Sequence, residues 1–360
     1  ATVARVAVVF TGGTISMRHD PVAGGFLPVL SGAELLAATP GLAEIADLVA
    51  IDRGLKPASH FDFADLFGIS AAVEDALGDP DVDGAVVVQG TDTIEETAFF
   101  LDLLHGGPKP VVVTGAMRSA SAPDYDGPAN IRDAVRVAAS AEVAAAAVGV
   151  VVGLDGTIEP ADDVTKTHAS AFDTFQSLDT GPLGRVDGER IRLERPRGHR
   201  RQVTATRAAE RVFLVTATVA TDGTPIDALR GAGADGFVIA ATGAGNTAAT
   251  LLAAAERAMA DGVSVVVTTR CPAGAASGDY AFPGGGATWL RAGALPSGHL
   301  GGPKARIALA LGLGAGLDRD GLARLLADPE PIHDPARFWP AHGQTVGRSD
   351  RVGRGEPAGR

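Results

Sequence analysis

Val8-Val9-Phe10-Thr11-Gly12-Gly13-Thr14-Ile15 and, further along, Val86-Val87-Val88-Gln89-Gly90-Thr91-Asp92-Thr93-Ile94-Glu95-Glu96-Thr97 follow the same pattern. In each, a run of β-branched apolar residues stops at a glycine, and a threonine stands at the end of the run. Short runs that are apolar on both faces predict strands buried in a parallel sheet. Ligands of open α/β sheets bind outside the carboxyl ends of such strands. Two hydroxyls, an acid and free backbone N–H groups are therefore expected to converge on one small polar substrate, and such a set suits acyl transfer.

The rest of the chain extends this rhythm. Val6–Phe10, Val86–Gln89, Val111–Thr114 and Val148–Gly153 predict parallel strands, and Ala64–Leu77, Thr93–Leu104 and Ala129–Ala139 predict amphipathic helices between them. The βαβ alternation predicts a doubly wound parallel sheet with right-handed crossovers in a larger N-terminal α/β domain, residues 1–195. Arg185–Leu193 has the look of a short polar hairpin. Residues 196–211 are Arg- and Pro-rich and predict a solvated linker. A second α/β rhythm over 212–328 predicts a smaller C-terminal domain, with strands at Val212–Thr216, Gly236–Ala240 and Val263–Thr268 and helices at Thr247–Met259, within Pro303–Gly312 and at Asp320–Leu326. Residues 329–360 carry little periodicity and predict an extension poorly ordered beyond about residue 340.

At 360 residues, two domains are the default expectation. Hydrophobic residues make up 46% but aromatics only 5%, so the cores must be built from Ala, Val and Leu. A net charge of −12 argues against nucleic acid or an anionic membrane surface as partner. The single Cys271 excludes an intrachain disulfide, and no stretch is apolar and long enough to span a bilayer. Ala1–Arg5 leads into the first strand without a signal-peptide pattern, so the expected compartment is the cytoplasm, a previously cleaved signal being the alternative. The eight His residues show no metal-ligand spacing, Thr11-Gly12-Gly13-Thr14 lacks the Lys of a phosphate loop, and Gly243-Ala244-Gly245 is no dinucleotide fingerprint. No metal or organic cofactor is implied.

The two opening segments resemble the signatures T-G-G-T-I and H-G-T-D-T-x-E-E-T-A of the bacterial L-asparaginase/glutaminase family, with Gln89 where His is usual. The resemblance continues through Thr114-Gly115-Ala116-Met117-Arg118, Asp126-Gly127-Pro128-Ala129-Asn130, Asp163-Val164-Thr165-Lys166-Thr167 and Gly243-Ala244-Gly245-Asn246, spanning roughly residues 4–327 in matching order. One T-G-G-T alone is weak evidence; the ordered series is strong. It implies hydrolysis of L-asparagine to L-aspartate and ammonia, with glutamine as a side substrate, in a homo-oligomer whose subunits share active sites.

Each residue has a plainer reading beside this one. A threonine after a strand glycine often only hydrogen-bonds the turn, but the resemblance makes Thr14 the acylated nucleophile. It makes Thr91, Asp92 and Lys166 a second constellation of hydroxyl, carboxylate and amine. A protected lysine can serve as a base, and Asp92 can pair with the substrate α-ammonium. Lys166 is one of few lysines and stands beside Asp162 and Asp163; an exposed salt bridge is its plainer role. Ser59 and His60 are adjacent and so do not form a nucleophile–base pair; the resemblance sets Ser59 on the substrate α-carboxylate, with His60 where many relatives have Gln. Gly12, Gly13, Gly90 and Thr91 offer backbone groups and close approach. The resemblance further implies that Ala116 lends its carbonyl to the leaving-group side and that Asn246 reaches the site from a neighbouring subunit.

Two departures stand out. The loop Pro21–Phe26 has no Tyr where many asparaginases place one, Phe26 lying nearest. Gly274–Ala281 offers Asp279 and Tyr280 but not the Glu of some periplasmic members, and Tyr280 is one of two tyrosines in the chain. Tyr280 is therefore the candidate replacement phenol, and a catalytically impaired amino-acid-binding protein on the same scaffold is the competing reading.

Overall fold

The computed structural model describes residues 3–329; the expected poorly ordered tail lies outside the described residues. Eight strands form one sheet in the order Arg190–Leu193, Gly184–Asp187, Thr157–Pro160, Val150–Leu154, Val111–Thr114, Gly84–Val88, Ala4–Phe10, Ala46–Asp52. The five from Val150–Leu154 to Ala46–Asp52 are parallel. The other three pair antiparallel at one edge, so the expected parallel sheet carries an antiparallel extension that includes the expected hairpin at Arg185–Leu193. The reason is connection length. Only Asp155 and Gly156, both at positive φ, separate Val150–Leu154 from Thr157–Pro160, and a parallel crossover needs a dozen residues or more.

Alternation along the central strands sends side chains to two cores. Ala7, Val9, Val87, Val113 and Val152 meet the helices Phe63–Leu77 and Ile94–Leu104. Val6, Val8, Val86, Val88, Val112 and Val151 meet the helix Gly127–Ala138 on the other face. The Phe63–Leu77 helix starts where Asp62 and Asp65 exchange side-chain and backbone hydrogen bonds, a reciprocal cap. Ala46–Asp52 has no counterpart in the sequence reading. It is a half-exposed edge strand and lacks the fully apolar signature of its neighbours.

The C-terminal sheet has four parallel strands in the order Val212–Thr216, Gly236–Ala241, Ser264–Thr269, Leu295–Pro296. The helix Gly302–Gly314 packs on it and also against Ile94–Leu104, so one apolar core runs through both sheets.

The Arg-rich stretch corrects its sequence reading as a solvated linker. Arg197 and Arg201 have side chains only 4% and 5% exposed. Arg197 and Arg200 bind the equally buried Asp102 at 2.7 and 2.8 Å, and Arg201 binds Asp328 at 2.6 Å. Their partners are dispersed over the chain, so local composition gives no sign of pairing. Among the described residues, no helix is long and apolar enough to cross a membrane.

Candidate active site

The first strand ends at Phe10, and the chain turns through Gly12 and Gly13 with φ of 96° and 98°. Residues with a Cβ rarely adopt that conformation. A 3-10 turn, Thr14–Ser16, follows. The carbonyl of Gly13 accepts from both the N–H and the hydroxyl of Ser16, at 2.9 and 2.8 Å. Thr14 itself is half-buried, and its side chain has no hydrogen bond to another described residue.

Three strand-end turns meet here. Gly13 packs on Gly90 so tightly that a methyl group on it would overlap the Gly90 nitrogen and α-carbon. Gly90 in turn faces Ala58, 3.1 Å from where its own Cβ would stand. The turn Ala58–His60 is tied to Thr91–Thr93 by the Thr93 hydroxyl, which donates to the Ala58 carbonyl at 3.3 Å. Ser59 and His60 lie exposed on this turn. Thr14, Ser59, Gly90 and Thr91 therefore stand on turns in mutual contact, although their sequence positions are far apart.

Lys166 ends the short strand Val164–Lys166. Its ammonium donates to the Thr91 hydroxyl and to a carboxylate oxygen of Asp92, both at 2.9 Å. Thr91 is buried, the Lys166 side chain is 15% exposed, and that of Asp92 is 74% exposed. The constellation thus runs from a protected hydroxyl and amine to a carboxylate open to solvent. An exposed ion pair alone would contribute little; the buried Thr91 hydroxyl makes this arrangement a different one.

Both ends of the lysine strand are anchored. The Glu95 carboxylate accepts from the Lys166 N–H at 2.7 Å. The buried Lys304 ammonium, on the helix Gly302–Gly314, donates to the Val164 carbonyl. Burial pushes Lys304 below the usual lysine range, opposed by the charges of Glu95, Asp163 and Asp162. Burial, with the charge of Glu95, pushes the neighbouring Glu96 above the usual carboxylate range.

The fourth wall is the turn after Val111–Thr114. Asp126 accepts from the N–H groups of Met117 and Arg118 at 3.0 and 2.9 Å, and Asn130 donates to the Gly115 carbonyl at 3.0 Å and to Asp126 at 2.9 Å. These bonds hold the buried Ala116 from both sides. Arg118 reaches across to the Ser170 carbonyl at 2.8 Å and lies 4.2 Å over the Phe172 ring. The loop at Pro21–Phe26 is the tip of a hairpin pairing Met17–Asp20 with Gly25–Pro28, and Phe26 stacks edge-on against His19.

Asn246 and Tyr280 are not joined to these groups. Asn246 lies on the turn after Gly236–Ala241, its backbone bonded to Thr242, its side-chain oxygen buried without a partner among the described residues. Tyr280 is 46% exposed and packs against Phe282. No hydrogen bond or ring contact links either residue to Thr14, Thr91 or Lys166 among the described residues. Cys271 lies exposed just past the strand Ser264–Thr269. Among the described residues, no group of three or more His, Cys, Asp or Glu could hold a metal ion.

The sequence reading does not single out Glu95, Asp126, Asn130 or Tyr125, whose hydroxyl donates to the Ile15 carbonyl at 2.7 Å. Three of them sit inside quoted motifs, but their task is to fix backbone groups, which no residue type signals by itself.

Residues 5–198 match the family model described as "Asparaginase, N-terminal", and residues 211–326 match "Glutaminase/Asparaginase C-terminal domain". The chain is 37% identical to a "Probable L-asparaginase" of Deinococcus radiodurans, over 90% of this chain and 98% of that one. It is 33% identical to a "Probable L-asparaginase periplasmic" of Haemophilus influenzae, over 87% and 89% of the two chains. A crystal structure of a "Probable Cytoplasmic L-asparaginase" from Campylobacter jejuni superposes with a TM-score of 0.80 at 26% identity, covering 90% of this chain and 99% of that one.

Proposed function

The chain belongs to the asparaginase family, and from that premise we propose that Thr14 is the nucleophile of its reaction and that Thr91, Asp92 and Lys166 carry the proton transfers and substrate pairing. The protein is an L-asparaginase-type amidohydrolase: L-asparagine and water become L-aspartate and ammonia. The observation that carries the residue assignment is the Lys166 ammonium within 2.9 Å of both the Thr91 hydroxyl and Asp92, beside the Gly13–Gly90 contact that sets Thr14 next to Thr91.

In the proposed sequence, Asp92 pairs with the α-ammonium of asparagine, and Ser59 with backbone groups of its turn receives the α-carboxylate. The Thr14 Oγ attacks the side-chain amide carbon, and its proton passes to the departing nitrogen. Backbone N–H groups of the Gly13 and Gly90–Thr91 turns face the developing oxyanion. The Ala116 carbonyl takes a hydrogen bond from the leaving ammonia. Water, losing its proton to the Thr91–Lys166 pair, then attacks the β-aspartyl ester; aspartate leaves and the proton returns to Thr14. For Lys166 to accept a proton, its ammonium must first give one up: during acylation it passes one through the bonded Thr91 hydroxyl to the departing ammonia, which leaves as ammonium, and the carboxyl of the aspartate released in the second step returns a proton to the amine.

The proposal extends to assembly and compartment. The turn carrying Asn246 and the loop carrying Tyr280 are bonded into one surface, the Thr247 N–H donating to the Gly284 carbonyl at 2.8 Å and the Ser277 N–H to Ala244 at 2.9 Å. That surface exposes Tyr280 and Phe282. Both features support a homo-oligomer in which Asn246, with Tyr280, completes a partner's site. The proposed compartment is the cytoplasm, for which the Campylobacter protein is named; the Haemophilus relative is named for the periplasm, so fractionation of the native host decides.

The deciding experiment is ammonia release from L-asparagine by purified protein, with acid-quenched peptide mass spectrometry. Turnover with an acyl group on the Thr14 peptide, both lost in Thr14→Ala, supports the assignment. A fully active Thr14→Ala protein ends it.

A further inference from the structure

Tyr125 stands just before the Asp126–Asn130 motif and is one of the two tyrosines of the chain. Its phenol donates to the Ile15 carbonyl at 2.7 Å, across 110 residues of sequence. That carbonyl follows Thr14 directly. The turn itself satisfies the carbonyls on either side of Thr14's α-carbon: Ser16 serves Gly13, and the Met17 N–H serves Thr14. Of these three carbonyls, only that of Ile15 is held by a side chain from another part of the molecule among the described residues, and the Ile15 side chain is fully buried. Because the turn is entered through two glycines at positive φ, its own backbone resists reorientation weakly.

The same segment holds other groups. Asp126, the next residue, fixes the Met117 and Arg118 N–H groups and thereby the Ala116 turn. Upstream, the Ala120 N–H donates to the Met17 carbonyl at 3.0 Å, and the Ser121 hydroxyl accepts from the His19 N–H at 3.3 Å. One segment thus grips the nucleophile turn on one side and the leaving-group wall on the other.

We infer that Tyr125 is a positioning residue: its hydroxyl, through the Ile15 carbonyl, holds the turn presenting Thr14 in register with the Ala116–Arg118 turn held by Asp126. The inference rests on the reading of Thr14 as nucleophile. Tyr125 touches no reacting atom, because its proton is committed to a backbone carbonyl. Burial, with the charge of Asp126, pushes its ionisation well above the usual tyrosine range, so it remains a donor at any assay pH. The ring lies over Gly127, where a methyl group would overlap it.

The test uses Tyr125→Phe, which removes only the hydroxyl, and a diazoketone analogue of asparagine that alkylates the nucleophile. The full-length variant should inactivate about tenfold to a hundredfold more slowly at saturating reagent, the cost of a misplaced reacting atom. Half-saturation by the reagent and L-aspartate binding should each stay within about twofold, since the anchoring groups are untouched. A wild-type inactivation rate overturns the inference, as does a loss carried by binding alone. Peptide mapping of the labelled wild-type protein is read separately: a label away from Thr14 removes the nucleophile reading and this inference with it, whereas a label on Thr14 with an unimpaired variant removes only the inference. Should Tyr125→Phe not fold, Gly127→Ala, which keeps the hydroxyl but displaces the ring, is held to the same outcomes.

Discussion

Gly13 and Gly90 touch through their backbones, with no room between them for a methyl group. This contact joins the ends of two adjacent strands, Ala4–Phe10 and Gly84–Val88, and sets how far Thr14 stands from Thr91. The sheet beneath is fixed by its hydrogen-bond register, so any widening must be taken up in the turns, which carry the proposed catalytic groups.

Gly13→Ala should therefore be far more damaging to turnover than its size suggests. The new Cβ meets backbone, which cannot rotate away, and φ of 98° is unfavourable for alanine. A displacement of about 1 Å between the reacting groups can cost about a hundredfold in rate. The expected result is a loss of at least that order in kcat with the fold retained, checked by ammonia release and far-UV circular dichroism. An alanine variant with normal kcat would show that the two turns tolerate separation.

Lys166 and Asp92 should separate by phenotype although they are bonded to each other. Lys166→Met removes the amine from the Thr91 hydroxyl and should lower kcat by about two to four powers of ten, the usual range for a proton-transfer group. Aspartate binding should weaken much less. Asp92→Asn keeps the shape but loses the charge opposite an α-ammonium, so its main expected effect is on KM and on the Kd for aspartate. Calorimetric titration with aspartate beside steady-state kinetics checks both, and equal effects on binding alone would reverse the two roles.

Away from the site, His299 and Asp328 form a pair whose pH dependence has a definite sign. The bond from the imidazole to Asp328, at 2.8 Å, raises the His299 pKa against the opposing effect of burial. Burial works to raise Asp328, yet its bonds with His299 and the charge of Arg201 hold its carboxyl low. A raised histidine pKa gives stability that is fully present below the unfolded value of about 6.5 and is lost as pH rises through the folded value. The lowered Asp328 contributes above its ordinary value and loses that contribution only as pH falls through the depressed one. Wild-type protein should thus exceed His299→Gln in Tm at about pH 6, and the margin should shrink by about pH 9. Differential scanning calorimetry across that range checks it; a margin that grows with pH would contradict the assignment of the charged imidazole.

The apolar runs ending at Phe10, Val88 and Thr114 were legible as strands because both their faces are buried, which leaves no polar position to blur the pattern. The edge strand Ala46–Asp52 and the short strands around Lys166 were not, since one face or both meet solvent and pairing alone defines them. The chemistry-bearing side chains of the candidate site stood out by residue type and order. What sequence could not supply was the support: Tyr125 on Ile15, Glu95 on the Lys166 N–H, and Lys304 on Val164. A side chain that holds a backbone group leaves no pattern, because any donor or acceptor of the right reach would serve. The buried arginines near residue 200 show the same limit, their partners lying many residues away.

Catalysis should require association. Thr14, Thr91, Asp92 and Lys166 all stand within the N-terminal sheet region, while Asn246 lies on the C-terminal one with its side-chain oxygen buried and unpartnered among the described residues. An unmet buried acceptor costs about 1–3 kcal/mol, so a donor supplied at an interface would repay its retention. Thr14→Ala and Asn246→Ala should each be nearly inactive alone. If sites close between subunits related by an isologous two-fold, a mixed dimer holds one site lacking both groups and one site with an intact Thr14 from one chain and an intact Asn246 from the other. Mixing the two variants under conditions that exchange subunits should then restore activity toward about one quarter of the wild-type value: half of the dimers are mixed at random exchange, and each has one intact site of two. Native mass spectrometry of differently tagged chains establishes that the mixed species forms. Mixed dimers without recovered ammonia release would place Asn246 outside the partner's site.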